Sequence, residues 1–203
     1  MHPPRAGMKT RAAICLAFAV LAGCATYRAE PPRFAGAWPP TESGPRPSIA
    51  LEITGSAIQD GFPRDLGPIL DQWGFVTERG YRESALFSDV SIDRGRSDPH
   101  ADLRAQIELR AIVEQNPVLA AFSYLTLLVI PNVETTDIAV ITRISTARGE
   151  PLGTVEGHGK SRTWYWLLLF PISPFSEPRT VTPAIVYDLN REAVSTLHER
   201  GVF

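Results

Sequence analysis

The sequence predicts an α+β domain: a mainly antiparallel sheet of about five strands, in the order β-α-β-β-β-β-α, with helices packed on one face. Three observations carry this. Apolar and polar residues alternate through "ADLRAQIELRAIV", which packs one face and wets the other. "TTDIAVITRISTA" and "LGTVEGHGKSRT" alternate in the same way on either side of a turn at 148–151, and so form a hairpin. Large apolar residues recur at helical spacing after the first strand and again at the C-terminus.

In chain order, "SIALEIT" opens the domain, with Ile49, Leu51 and Ile53 on one face and Ser48, Ala50 and Glu52 on the other. Over 65–87, Leu66, Ile69, Leu70, Trp73, Val76, Tyr81 and Leu86 keep mostly helical spacing, while Gly67-Pro68, Gly74 and Gly80 predict a helix in two pieces. "DVSID" supplies a short strand and "RGRSDPH" a turn. In the strand 102–114, Leu103, Ala105, Ile107, Leu109, Ala111 and Val113 share the packed face. On the last strand Gly153, Val155, Gly157, Gly159 and Ser161 line a face small enough for a helix to come close. The C-terminal segment supplies that helix. Thr182 caps it, Pro183 fits its first turn, Val186, Leu189, Ala193, Val194 and Leu197 form its stripe, and Gly201 ends it.

Ahead of the domain, cations at Arg5, Lys9 and Arg11 precede an uncharged apolar run at 12–20, the form of a cleavable signal sequence. The run falls short of the roughly 20 residues that span a bilayer. Its end, Leu21-Ala22-Gly23-Cys24, resembles the lipobox of bacterial lipoproteins. The resemblance implies that residues 1–23 are a lipoprotein signal peptide cut before Cys24. It also implies that the Cys24 thiol carries diacylglycerol and that the new amino group is acylated, for example with palmitate. Acylation at two positions gives stable anchoring, because each buried methylene adds about 0.8 kcal/mol. Ala25 follows the cysteine where an aspartate would imply retention at the inner membrane, so the resemblance points to the outer membrane, with the domain facing the periplasm. Met8-Lys9-Thr10-Arg11 is a more typical leader start than Met1, which makes residues 1–7 an upstream extension or a misassigned start.

From 25 to 47 the chain reads "ATYRAEPPRFAGAWPPTESGPRP", with six prolines in 23 residues. Proline lacks the backbone donor and restricts its predecessor, so residues 24–47 are expected to be a lipidated N-terminus and Pro-rich tether. Extended, such a tether reaches on the order of 70 Å. Residues 48–203 form the periplasmic α+β domain, long enough for one core.

Loss of residues 1–23 removes three cations and no carboxylate, leaving 17 basic groups against 22 acidic ones and a formal charge near −5. That balance argues against a nucleic-acid partner, whose binding rests on phosphate neutralisation. Cys15 leaves with the leader and Cys24 is alkylated, so no disulfide is available and packing alone holds the fold.

"GHGKS" at 157–161 has the end of a phosphate-binding loop, but position 154 is Thr154 where that motif needs glycine, and "RTWYW" opens no helix. Asp98, His100 and Asp102, with Asp89 and Asp93 upstream, alternate around a turn, yet no second histidine completes a ligand set. His158 lies between Glu156 and Lys160 on a polar strand face, and His198 lies near a helix C-terminus, where partial positive charge is favourable. The sequence holds no G-x-S-x-G elbow and no carboxylate pair at a shared-site spacing. No catalytic residue, metal or cofactor is therefore expected.

Two apolar stretches stand apart: "VLAAFSYLTLLVI" between Pro117 and Pro131, and "WYWLLLFPISPF" at 164–175. The favoured reading buries both in the core, as extensions of adjacent strands or as a short helix covering the sheet, since large exposed patches on monomers are uncommon. The competing reading makes them a lip that touches lipid or a partner through Phe122, Tyr124, Leu125, Leu127, Trp164, Tyr165, Trp166, Leu168, Phe170 and Phe175. Antiparallel strands at 102–114, 135–147 and 152–163 bring both loops to one end of the sheet. A right-handed crossover that makes 48–54 and 89–93 parallel is expected to bring the tether in at that end too.

The run "ADLRAQIEL", "LTLLVIP", hairpin, "WYWLLLFP" resembles the layout of small uncharacterised bacterial envelope lipoproteins. More loosely, the α+β order is similar to lipoprotein subunits that assist lipopolysaccharide assembly, curli secretion and lipid transport. These resemblances imply a non-enzymatic, membrane-anchored accessory that binds an envelope protein or lipid. The alternatives are an envelope lipid-binding or carrier module and, more distantly, an envelope hydrolase.

Overall fold

The computed structural model describes residues 23–32, 36–41, 44–93, 101–169 and 178–203. Among them, seven strands form one open sheet: β1 Gly23–Arg28, β2 Ser48–Gln59, β3 Phe62–Arg64, β4 Asp89–Ile92, β5 Leu103–Gln115, β6 Asn132–Thr146 and β7 Pro151–Trp166. Three helices accompany it: α1 Gly67–Glu83, α2 Pro117–Leu125 and α3 Pro178–Glu199. The strand order is β1-β7-β6-β5-β2-β3, with β4 also paired to β2. β2 runs parallel to β5 and to β4, and every other pairing is antiparallel. The α+β class and the β6–β7 hairpin are as the alternation predicts, and β2 and β4 are parallel as a crossover through α1 requires.

Two strands and one helix come in addition to the expected set. β3 arises from Asp60-Gly61, which sit at φ of 51° and 84° and close a two-residue hairpin of the kind Asp-Gly favours. α2 starts where Asn116 accepts from the amides of Val118 and Leu119 at 3.1 Å, with Pro117 in the first turn. β1 corrects the expected tether at its start. The six residues Gly23–Arg28 lie ahead of the tether's first proline, Pro31, keep their backbone donors and all pair with β7. Further along, Trp38 packs against the core beneath the Arg191 guanidinium, 4.9 Å from its ring centroid.

The two predicted pieces of the first helix are one continuous α1. Gly80 faces Asn190 and Tyr187, so it marks the crossing with α3 rather than a break, and the Asn190 amide donates to Thr77 Oγ1 at 3.0 Å there. α3 begins before the predicted cap at Thr182 and carries Pro183 inside it. Pro183 cannot donate to the Arg179 carbonyl four residues back, and Gln72 Nε2 of α1 donates to that oxygen instead at 3.1 Å. At its end the predicted glycine stop holds: Gly201 sits at φ 70° and Val202 N–H donates to the Leu197 carbonyl at 3.1 Å.

The predicted small face of β7 receives α3. A Cβ on Gly159 would stand 2.4 Å from Ile185 Cγ2, closer than any real contact. α1 and α3 thereby cover one face of the sheet. They bury Leu51, Ile107, Leu109, Ile138, Val140 and Ile144 against Tyr81, Val186, Val194 and Leu197.

Register also corrects the expected path of the tether. Ile49 pairs with Leu103, so β2 starts at the end of the sheet opposite α2, and Ser48 is held there by Asp102 at 2.8 Å. It is β1, not the segment leading into β2, that starts at the α2 end.

Candidate functional site

The candidate site is the end of the sheet where β5 leaves, β6 begins and β7 stops. Asn132 pairs with Tyr165, and Tyr165 pairs with Cys24 on its other side. Residues directly opposite in neighbouring strands share a face. Cys24, Tyr165 and Asn132 therefore lie on the helix-bearing face, and Ala25, Trp164 and Val133 on the open one. One step inward, Thr26 Oγ1 and Thr163 Oγ1 form a buried hydrogen bond of 2.9 Å that locks β1 to β7.

α2 hangs beyond this end and packs the wrong way round for a core helix. It buries only Ala120 and Ser123, while Val118, Phe122, Tyr124 and Leu125 are exposed, Leu125 at 79%. The turn that follows continues the pattern: Leu127 is 71% exposed, and Val129 is exposed as well. Leu127 and Leu128 sit at φ of 51° and 64°, a left-handed conformation that costs about 1–2 kcal/mol in a residue with a side chain. Internal bonds hold this shape. Ser123 Oγ donates to the Ile130 carbonyl at 2.7 Å, and Leu128 N–H to the Ser123 carbonyl at 2.7 Å. The reading that buries 118–130 is thus corrected: most large apolar side chains of α2 and its turn are exposed.

The second apolar stretch joins the first. Leu167 N–H donates to the Leu128 carbonyl at 3.0 Å, and Trp166 Nε1 to the Val129 carbonyl at 3.1 Å. Trp164 Nε1 donates to Tyr27 Oη at 3.3 Å. Trp164, Tyr165 and Trp166 are half-buried. Of the predicted contact residues, Phe122, Tyr124, Leu125, Leu127, Trp164, Tyr165 and Trp166 therefore meet at one end. Leu168 lies in the short 3₁₀ turn Leu167–Leu169. Phe170 and Phe175 lie outside the described residues. Val118 and Val129 belong to the same surface and were not singled out from sequence.

Charge begins one layer in. No Asp, Glu, Lys or Arg occurs from 116 to 133, and Glu134 and Arg162 come next on β6 and β7. Burial raises the Glu134 carboxyl above its ordinary range, and burial likewise raises the phenol of its neighbour Tyr165. Both line a groove of about 290 Å³ between the sheet and the starts of α1 and α3. Ala57, Ile69, Trp73, Val113 and Pro183 form its apolar wall, with Arg64 and Arg179 at its rim.

Elsewhere the tempting motifs resolve into structure. "GHGKS" lies inside β7, with Gly157 and Gly159 facing Leu189 and Ile185 of α3. His158 Nε2 stands 3.3 Å from Glu156 on the exposed face. Asp98 and His100 lie outside the described residues, and among the described ones no cluster of three metal-ligating side chains occurs. No described helix is long and apolar enough to cross a membrane.

No family model and no curated protein matches the chain. Among solved structures, the chain is similar to a neuraminyllactose-binding hemagglutinin homolog from Helicobacter pylori, at 8% identity and a TM-score of 0.40, over 79% of this chain and 88% of that one. It is also similar to the PelC dodecamer from Paraburkholderia phytofirmans, at 10% identity and a TM-score of 0.34, over 86% and 96% of the two chains. A point variant of that PelC matches at 12% identity and the same TM-score, over 77% and 94%. Likeness at this level assigns no function to this chain.

Proposed function

We propose that the chain is a lipid-anchored envelope protein, held in the outer membrane by acyl groups on Cys24 and facing the periplasm. There it acts without catalysis, as a binding or assembly accessory. The seat of Cys24 carries this reading: the residue opens β1 at the end of the sheet where α2 and its turn, within the uncharged stretch 116–133, lie outermost. Acyl chains leaving the sulfur there enter a bilayer without drawing charged surface after them. Intact-mass analysis of protein from the native host tests it. The expected species starts at residue 24 and carries acyl mass, and Cys24→Ser abolishes labelling by a palmitate analogue. An unmodified sulfur, or a retained leader, removes the reading.

The groove beside Tyr165 favours a second reading, in which the domain shields a lipid between helices and sheet. Native mass spectrometry after gentle extraction separates the two. A retained lipid supports the carrier, and a co-purifying protein supports the accessory.

A further inference from the structure

We infer that the α2 end of the sheet is a bilayer-docking surface, seated in the headgroup region of the leaflet that holds Cys24, with the sheet standing up from it. The inference rests on the lipid-anchor reading for its choice of leaflet, and on three observations for the surface itself.

The first is inverted packing. A helix in water gains by burying its large side chains, yet α2 buries an alanine and a serine and exposes phenylalanine, tyrosine and leucine. The second is that the turn after it is fixed outward rather than loose. Leu127 and Leu128 are held in left-handed backbone by bonds from within the same segment, so the apolar display is built into the fold.

The third observation separates a bilayer from a protein partner. A protein interface has an apolar centre ringed by polar residues. Here the chemistry is layered along one axis instead: uncharged α2 and its turn outermost, then Trp164, Tyr165 and Trp166, then Glu134 and Arg162. The indole N–H groups find oxygen partners at the middle layer, on Val129 and Tyr27. Apolar, aromatic and charged bands in that order match the depth profile of a membrane interface.

The test places a photo-crosslinking benzoyl-phenylalanine at Leu125 in the full chain in its native host, with the same residue at Arg148 on the far hairpin as control. Leu125 is exposed and Arg148 lies in an exposed turn, so neither change touches the core. Lipid adducts from 125 and none from 148 are the expected result. Protein adducts from 125, no adduct at all, or lipid adducts from both positions overturn the inference. The mass of residue 24 in the same samples reads the anchor separately. An unmodified sulfur with lipid adducts at 125 removes the anchor and keeps the surface, and an acylated sulfur with protein adducts at 125 does the reverse.

Discussion

α2 and α3 are both rich in large apolar residues, and they treat them oppositely. α3 buries Ile185, Val186, Leu189, Val194 and Leu197, whereas α2 buries none of its large residues. The difference lies in what stands across from each. α3 lies along β7, where Gly153, Gly157 and Gly159 leave room for it, whereas α2 follows the end of β5 and turns a small face, Ala120 and Ser123, inward. Apolar composition therefore determines which residues can form a core, and topology decides whether there is one to join.

Substitutions along the two helices sharpen this contrast. Leu197→Ala removes a fully buried side chain and is expected to cost about 2–5 kcal/mol by chemical denaturation. Gly159→Val drives branched carbons into Ile185 and is expected to cost at least ~1–3 kcal/mol, with α3 losing hydrogen-exchange protection before β6 does. At the crossing of the helices with the sheet, burial holds the Tyr81 phenol above its ordinary range. The folded chain then favours the neutral phenol, so that contribution is complete below about pH 10 and fades as pH rises past it. Tyr81→Phe should accordingly lose less stability than the parent between pH ~8 and pH ~11, read as denaturant midpoints. The smallest effects belong to α2 and its turn. Leu125→Ser should stay within about 0.5 kcal/mol of the parent despite deleting a large apolar side chain. Leu127→Asn, which tolerates the left-handed backbone, should raise stability by up to ~1 kcal/mol. A loss of several kcal/mol in either α2-end variant would break the contrast outright.

Much of the architecture is legible in residue alternation. The packed face of β5, the hairpin after it and the glycine face of β7 follow from period-two patterning, and the stripe of α3 follows from its own period. What escapes the pattern is what lies opposite. Nothing in "VLAAFSYLTLLVI" says which of its side chains turn inward, although Asn116-Pro117 is a readable helix start. Six prolines in 25–47 outweigh the short Pro-free stretch before them, and so conceal β1. The meeting of Cys24, Tyr165 and Trp166 depends on β1 pairing with β7 across more than 130 residues of chain, a contact that local periodicity does not encode.

The strand that carries Cys24 has a mechanical consequence. Because residue 24 heads a ladder of five pairs with β7, Cys24 to Arg28, a pull directed outward along β1 loads those backbone bonds in shear, all together, rather than peeling them one at a time. Whatever grips the chain at residue 24 therefore moves the whole domain as a rigid lever, with no slack to take up before the sheet responds.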